Sequence, residues 1–272
     1  MAYRLFEGKD HAGIYQKYRF TPPKGLMDVI IQYLDKKKGQ PHELAVDLGC
    51  GTGQNSRLLA PHFKEVVGLD ISEGQLEEAR AVPGYSNITY RKGTAEELPF
   101  SDASVDLLTA ASAAHWFDQP RFLAEASRVL KPGGCMALLG FSDHNTKLYY
   151  QDCGDRLKNI YEEMKQSLQP YTSNPVAVAD NKLEELYSAI PFPDKERIDC
   201  FQAKSLISVS NLVGFIQTWS MVQAYTLKDP KGAEDLLFNT QKRFLEEMGV
   251  TSPDTEIEHE LEYYCILASK PH

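Results

Sequence analysis

The sequence predicts an α/β fold with a doubly wound, mostly parallel sheet, and three observations support this. An apolar run at residues 44–48 leads directly into a loop with glycine at positions 49, 51 and 53. A helical pattern starts immediately after that loop. Strand-like and helical stretches then alternate over the first half of the chain. Such alternation indicates parallel strands joined by helices that cover both faces of the sheet.

The loop after the first strand is the most informative segment. Glycine accepts positive φ and leaves room for close approach of another group. The helix that begins near Gln54 offers free backbone N–H groups to a negatively charged or polar ligand. The loop therefore predicts a site for a nucleotide-like cofactor.

The other elements of the predicted core follow in order. Helices are expected at residues 11–18 and 24–37, before the first strand. Further strands are predicted at residues 65–70, 87–92, 104–110 and 135–141. The helices between the strands are expected to start near Gln54, Ser72, Glu96 and Gln119, with Ser72 and Gln75 forming a capping box.

Beyond Phe141 the pattern changes. Helices are predicted at residues 148–168, 180–189, 210–225 and 232–248, and strands at 197–209 and 256–269. We interpret the chain as an N-terminal helical cover (1–43), a cofactor-binding core (44–141), and helical cap insertions with C-terminal antiparallel strands of the same domain (142–272).

Two carboxylates bear on which cofactor the loop holds. The dinucleotide fingerprint needs a third glycine where this chain has Gln54. Asp47, just before the loop, would repel a pyrophosphate but would suit a cationic ammonium or sulfonium. Asp70 ends the second strand, where a carboxylate can accept hydrogen bonds from a ribose.

Four segments in order resemble the class I S-adenosylmethionine-dependent methyltransferases: residues 47–53, Asp70, residues 93–96 and residues 130–134. The resemblance implies a Rossmann-like sheet with an antiparallel C-terminal strand. It also implies S-adenosylmethionine as the cofactor and S-adenosylhomocysteine as the product. The cofactor-binding residues predicted in this way are Tyr18, Arg19, Asp47, Gly49, Gly51, Gly53, Asp70, Ile71, Ala95 and Glu96.

His115 and Trp116 follow the fourth strand, where ligands bind in such sheets. We expect them to face the cofactor or the methyl acceptor as catalytic residues, although packing against the next helix is the alternative. Residues 114–117 and 217–220 resemble the small-molecule carboxyl methyltransferases of the trans-aconitate type. The Asn/Asp-Pro-Pro-aromatic motif of base-methylating enzymes is absent from the sequence, which argues against DNA base methylation.

The sequence thus predicts methylation of a small molecule, with a carboxylate oxygen as a candidate acceptor. An NAD-type oxidoreductase and a non-catalytic S-adenosylmethionine-binding regulatory protein are the alternatives. The net charge of −9 disfavours a nucleic-acid partner. The five cysteines form no C-x-x-C pair, which predicts a cytoplasmic protein. The histidines are scattered and no long apolar run is present, so we expect neither a metal nor a membrane span. The expected assembly is a monomer or homodimer.

Overall fold

A computed structural model describes residue 6 and residues 8–272; residues 1–5 and 7, part of the predicted N-terminal cover, lie outside the described residues. The chain divides into two compact units. The core unit comprises residues 21–141, 178–201 and 263–272. The accessory unit comprises the residues up to Phe20 together with residues 142–177 and 202–262.

Strands and helices are numbered in chain order. The strands are β1 (Leu44–Leu48), β2 (Glu65–Asp70), β3 (Ile88–Lys92), β4 (Val105–Ala111), β5 (Leu130–Tyr149), β6 (Asp194–Ser208) and β7 (Glu256–Ser269). The α-helices are α1 (Lys9–Tyr18), α2 (Lys24–Lys37), α3 (Gln54–Leu59), α4 (Glu73–Ala81), α5 (Gln119–Val129), α6 (Arg156–Leu168), α7 (Asn174–Asp180), α8 (Glu184–Ala189), α9 (Val209–Gln217), α10 (Ser220–Lys228) and α11 (Pro230–Met248).

The sheet has seven strands in the order β3-β2-β1-β4-β5-β7-β6, mostly parallel with one antiparallel strand, as predicted. β1 lies between β2 and β4 and is parallel to both, with Val46 opposite Val67 on one side and Leu108 on the other. The strand order reverses at this point. The crevice beyond the carboxyl ends of β1 and β4 is therefore the expected ligand site of the sheet.

The core of this unit is built on the central strands. β4 is buried along nearly its whole length, as is typical of a parallel strand with both faces covered. Val46 and Leu108 pack in one cluster with Phe122 of α5 and Met136 of β5. Burial of these apolar side chains fixes the carboxyl ends of β1 and β4 and with them the loops that follow.

Most of the predicted elements of the core are confirmed. The first four strands agree with the prediction to within one residue at each end. Ser72 caps α4, and its Oγ accepts a hydrogen bond from the backbone N–H of Gln75 over 3.3 Å. The two C-terminal strands are neighbours at the edge of the sheet, as expected.

The predicted helix near Glu96 is wrong. The segment forms a turn instead, in which Thr94 and Glu97 pair as an isolated antiparallel bridge. Pro99 follows closely, and a proline disfavours helical backbone at the residue before it.

The helix predicted at residues 148–168 begins too early. β5 continues to Tyr149, and α6 starts only at Arg156. Around the strand end Leu148 is buried while its neighbours Lys147 and Tyr149 are exposed, which is the alternation of a strand. Gly154, with φ of +55°, then separates the strand from the helix.

Two other predicted helices are each divided. Residues 180–189 contain the break between α7 and α8, where Lys182 and Leu183 have φ of 53° and 58°. Residues 210–225 contain the break between α9 and α10. The N-cap of α9 is Ser208, and its side chain accepts from the Asn211 N–H over 3.1 Å.

Candidate active site

The glycine loop lies directly after β1. Gly49, Gly51 and Gly53 have φ of +62°, +54° and +85°, a region that other residues rarely adopt. A Cβ on Gly49 would also lie 2.5 Å from the Cβ of Ala113. The loop therefore needs glycine both for its backbone conformation and for its close packing on the segment after β4.

Asp70 connects the end of β2 to this loop. Its Oδ2 accepts from the backbone N–H of Gly51 over 2.8 Å, and its Oδ1 accepts from the N–H of Ser72 over 2.9 Å. Burial raises the pKa of this carboxyl group, and the backbone hydrogen bonds act in the opposite direction. A carboxylate has about four lone-pair sites, and the backbone N–H of Ile71 is a third donor, so capacity remains for a further donor such as a ligand hydroxyl.

Asp47 lies at the base of the loop and is completely buried. Its oxygens accept hydrogen bonds from Asn55 Nδ2 at 2.7 Å, Ser56 Oγ at 2.6 Å and Thr109 Oγ1 at 2.9 Å. Burial raises the pKa of Asp47, and the three side-chain hydrogen bonds oppose that rise. The carboxylate joins β1, α3 and β4, and direct contact with a ligand would require one of its donors to move.

The segment after β3 is fixed to the loop that contains His115 and Trp116. Ala95 is buried in the core, at 6% exposure. Glu96 Oε1 accepts from the backbone N–H of Asp118 over 2.9 Å. Leu98 donates its N–H to Glu125 Oε2 over 2.7 Å. These bonds place Ala95 and Glu96 beside the N-terminus of α5.

His115 and Trp116 lie in a single 3-10 turn after β4. Both are half-buried, and their ring centroids are 5.0 Å apart. Ser112, just before this turn, has φ of 53°, and its N–H donates to the Leu139 carbonyl over 2.7 Å. Non-glycine residues held in this region cluster at functional sites. Because Gly49 packs on Ala113, the turn adjoins the glycine loop.

The remaining predicted residues are placed as follows. Ile71 follows Asp70 and is 43% exposed. Tyr18 and Arg19 belong to the accessory unit, where the ring of Tyr18 packs against Gly214. Arg19 donates to Thr218 Oγ1 over 3.3 Å. All the other predicted site residues are in the core unit.

Sequence reasoning missed the residues that hold the loop. Asn55, Ser56 and Thr109 surround Asp47, and Arg57 donates to the Thr52 carbonyl over 2.8 Å. A signal for them was available. Thr109 interrupts an apolar strand, and Asn55 and Ser56 are polar residues in the first turn of a helix that follows a glycine loop.

A family model described as a methyltransferase domain matches residues 46–138, which include the glycine loop, Asp70 and the turn after β4. A Dictyostelium discoideum protein named as a methyltransferase is 27% identical over 276 residues, covering 94% of this chain and 92% of its own length. Residues 46–138 are thus similar to a methyltransferase domain, and the similarity to a relative named as a methyltransferase extends over nearly the whole chain. These matches favour a methyltransferase over the NAD-type oxidoreductase.

Two further similarities are to proteins named as methyltransferases. The malonyl-[acyl-carrier protein] O-methyltransferase of Methylococcus capsulatus is 40% identical over 39% of this chain and 40% of its own length. A solved structure named as that of a type II methyltransferase from Anaeromyxobacter dehalogenans is 24% identical and has a TM-score of 0.72, covering 92% of this chain and 97% of its own. The second similarity shows that the fold is shared along nearly the whole chain.

Neither a membrane span nor a metal centre is found within residue 6 and residues 8–272. No helix in these ranges combines the length and the apolar character needed to cross a bilayer. In the same part of the chain, no group of three or more His, Cys, Asp or Glu residues is arranged to hold a metal ion.

Proposed function

We propose that this chain is an S-adenosylmethionine-dependent methyltransferase that methylates a small molecule, with a carboxylate oxygen as the acceptor. S-adenosylmethionine supplies an electrophilic methyl group on a positively charged sulfur. The observation that carries the proposal is the hydrogen bond from the Gly51 N–H to Asp70, which brings the glycine loop and an acceptor for ribose hydroxyls to one place.

The core unit has groups that fit each part of this cofactor. Asp70 is the carboxylate that would accept hydrogen bonds from the ribose hydroxyls. Ile71 offers an exposed apolar side chain, and with Ala95 and Glu96 it would border the adenine. Gly49, Gly51 and Gly53 provide a backbone surface without side chains for the methionine part.

Asp47 would act on the cofactor through its charge rather than by contact. A buried carboxylate produces a negative potential that is weakly screened by water. That potential favours the cationic sulfonium and ammonium groups over a neutral ligand of the same shape. The three hydrogen bonds that Asp47 accepts support its ionised form.

His115 and Trp116 would serve the acceptor. Methyl transfer is an in-line displacement, so the acceptor oxygen must be held in line with the methyl group and water must be excluded. Trp116 offers a flat wall whose π face favours a cation, and His115 can orient an oxygen by hydrogen bonding. A carboxylate oxygen is already ionised at neutral pH and needs no general base.

Tyr18 and Arg19 remain candidates for the methionine end of the cofactor, on the basis of the sequence resemblance. Support for Arg19 comes from its environment in the accessory unit. Its guanidinium lies 5.1 Å from the centroid of the Tyr15 ring and 5.6 Å from that of Phe215. Such stacking restricts the side chain and prepares it to bind a carboxylate.

The name of the Methylococcus capsulatus relative supports oxygen as the methylated atom, over the portion of the chain that it matches. The net charge of −9 supports a small molecule over nucleic acid. A monomer or homodimer is the assembly we expect.

A matched panel tests the proposal. Methyl-labelled S-adenosylmethionine is incubated with the full chain and with carboxylic acids, each paired with its primary amide. The expected result is label in a base-labile ester for acids only, and none with Gly51→Val. Transfer of the labelled methyl group to amides or amines would contradict carboxylate methylation. The absence of transfer to every acid in a broad panel would contradict it too.

A further inference from the structure

The accessory unit contains a cluster of six side chains that we call the six-residue ring: Phe20, Asp143, Tyr161, Phe215, Trp219 and His259. Phe20 has its ring centroid 4.2 Å from that of Phe215 and 5.3 Å from that of His259. Trp219 continues the ring, with its centroid 5.8 Å from Phe215 and 5.9 Å from Tyr161, perpendicular to both. The walls of the six-residue ring are therefore mostly aromatic.

Asp143 is the charged member of the ring and is itself neutralised. It accepts from the Tyr161 hydroxyl over 2.7 Å. Lys165 lies 3.0 Å from the other oxygen of Asp143, and Thr146 donates to the first over 2.8 Å. The carboxylate of the ring is thus compensated by one ion pair and two hydroxyl donors.

Four polar atoms at the ring have no hydrogen-bond partner among the described residues. They are Trp219 Nε1, both ring nitrogens of His259, and Oγ of Ser142, which precedes Asp143. The three residues are 6%, 1% and 1% exposed. Leaving one buried donor or acceptor unpaired is costly, so such atoms are rare in native proteins. Four of them at one ring indicate a bound group that supplies the partners.

The chemistry of these atoms defines that group. Burial lowers the pKa of His259 to about 4, so its imidazole is neutral and offers one donor and one acceptor. Trp219 only donates, and Ser142 can do both. A carboxylate only accepts, and the nearby Lys165 is engaged with Asp143. The arrangement suits an uncharged group that donates and accepts, attached to a flat apolar body that packs on the rings.

We propose that the six-residue ring, with Ser142, binds an uncharged molecule or moiety with an aromatic body and a hydroxyl or amide. The inference concerns the accessory unit alone, and it goes beyond the proposed function without depending on it.

The test uses the full chain saturated with S-adenosylhomocysteine and three benzene derivatives: phenol, benzamide and benzoate, of which the last two have nearly the same shape. Each probe is titrated by ligand-observed NMR. Trp219→Phe removes one donor and keeps an aromatic wall, and His259→Phe removes both ring nitrogens. Tyr225→Phe is the matched control, because Tyr225 stacks on Tyr171 in the same unit and is not a member of the ring. Thermal melting monitors the folding of each variant.

The expected result is saturable binding of phenol and benzamide, weakened roughly fivefold by each ring variant, as loss of a neutral hydrogen bond predicts. The control should bind as the parent does, and benzoate about tenfold more weakly than benzamide. The proposal fails if the parent binds neither uncharged probe, if both ring variants bind them as the parent does, or if benzoate binds best. Calorimetry of S-adenosylhomocysteine on the same samples reports cofactor binding separately from binding at the ring.

Discussion

The backbone N–H of Gly51 donates to Oδ2 of Asp70 over 2.8 Å, so the loop after the first strand and the end of the second strand share one hydrogen bond. Hydrogen bonds to a charged acceptor are stronger than neutral ones. The bond anchors the loop to Asp70, the carboxylate that we propose as the acceptor for the ribose hydroxyls. Changes at either residue should therefore affect the same ligand.

Asp70→Ala should weaken S-adenosylhomocysteine binding by about 2–4 kcal/mol, because it removes the acceptor of two ribose hydroxyls and one anchor of the loop. Isothermal titration calorimetry measures the loss. Asp102→Ala is the control, since that carboxylate is 80% exposed and bonds Arg128 away from the loop. Equal affinities for Asp70→Ala and the parent would remove Asp70 from the cofactor site.

Gly51→Val should abolish cofactor binding and leave a folded protein by circular dichroism. Valine is strained at φ of +54°. Its side chain would also project from the loop backbone that we propose to contact the cofactor. Gly84→Val is the control for strain alone, because Gly84 has φ of +100° and, among the described residues, no atom lies within 4 Å of the position a Cβ would take. Normal binding by Gly51→Val would show that the loop is not the cofactor site.

His115→Ala and Trp116→Ala should lower turnover far more than cofactor affinity, because we propose that both residues stabilise the transition state of methyl transfer rather than the bound cofactor. Steady-state kinetics on an acceptor from the panel, together with calorimetry, separate the two effects. Tyr85→Ala, which truncates an exposed aromatic residue of the core unit, should change neither. Parent turnover in both variants would leave His115 and Trp116 as packing residues.

His259 should make the fold sensitive to acid. Burial lowers its folded-state pKa to about 4, below the ordinary value of 6.5, so the unfolded chain binds a proton first as the pH falls. The stabilising contribution of the neutral ring is complete above pH 6.5 and is lost between pH 6.5 and about 4. His259→Phe should therefore gain about 2 kcal/mol relative to the parent between pH 7 and pH 4.5.

Urea unfolding at the two pH values measures that gain. His144→Phe makes the same change at an exposed position of the accessory unit and should show no such gain. If the parent and His259→Phe lose stability in parallel on acidification, His259 is not held neutral by burial in the folded chain.

The sequence was sufficient for the central strands and the glycine loop, because local patterns determine them. A buried parallel strand is a short apolar run, and the three glycines mark the turn that follows. The capping of α4 by Ser72 was also predictable, since the cap and its partner are three residues apart.

The remaining features depend on contacts between distant residues. Thr109 donates to Asp47 from 62 positions further along the chain, and no local pattern indicates that pairing. The positive φ of Ser112 is likewise imposed by packing rather than by residue type. The continuation of β5 to Tyr149 was missed because a short apolar alternation also fits a helix that begins nearby.

A crystal structure of the chain with S-adenosylhomocysteine tests the central claim most directly. We predict both ribose hydroxyls within about 3 Å of the Asp70 carboxylate and the homocysteine moiety against the backbone of Gly49, Gly51 and Gly53. A ligand bound away from Asp70, or an Asp70 carboxylate that makes no contact with the ribose, would contradict the account.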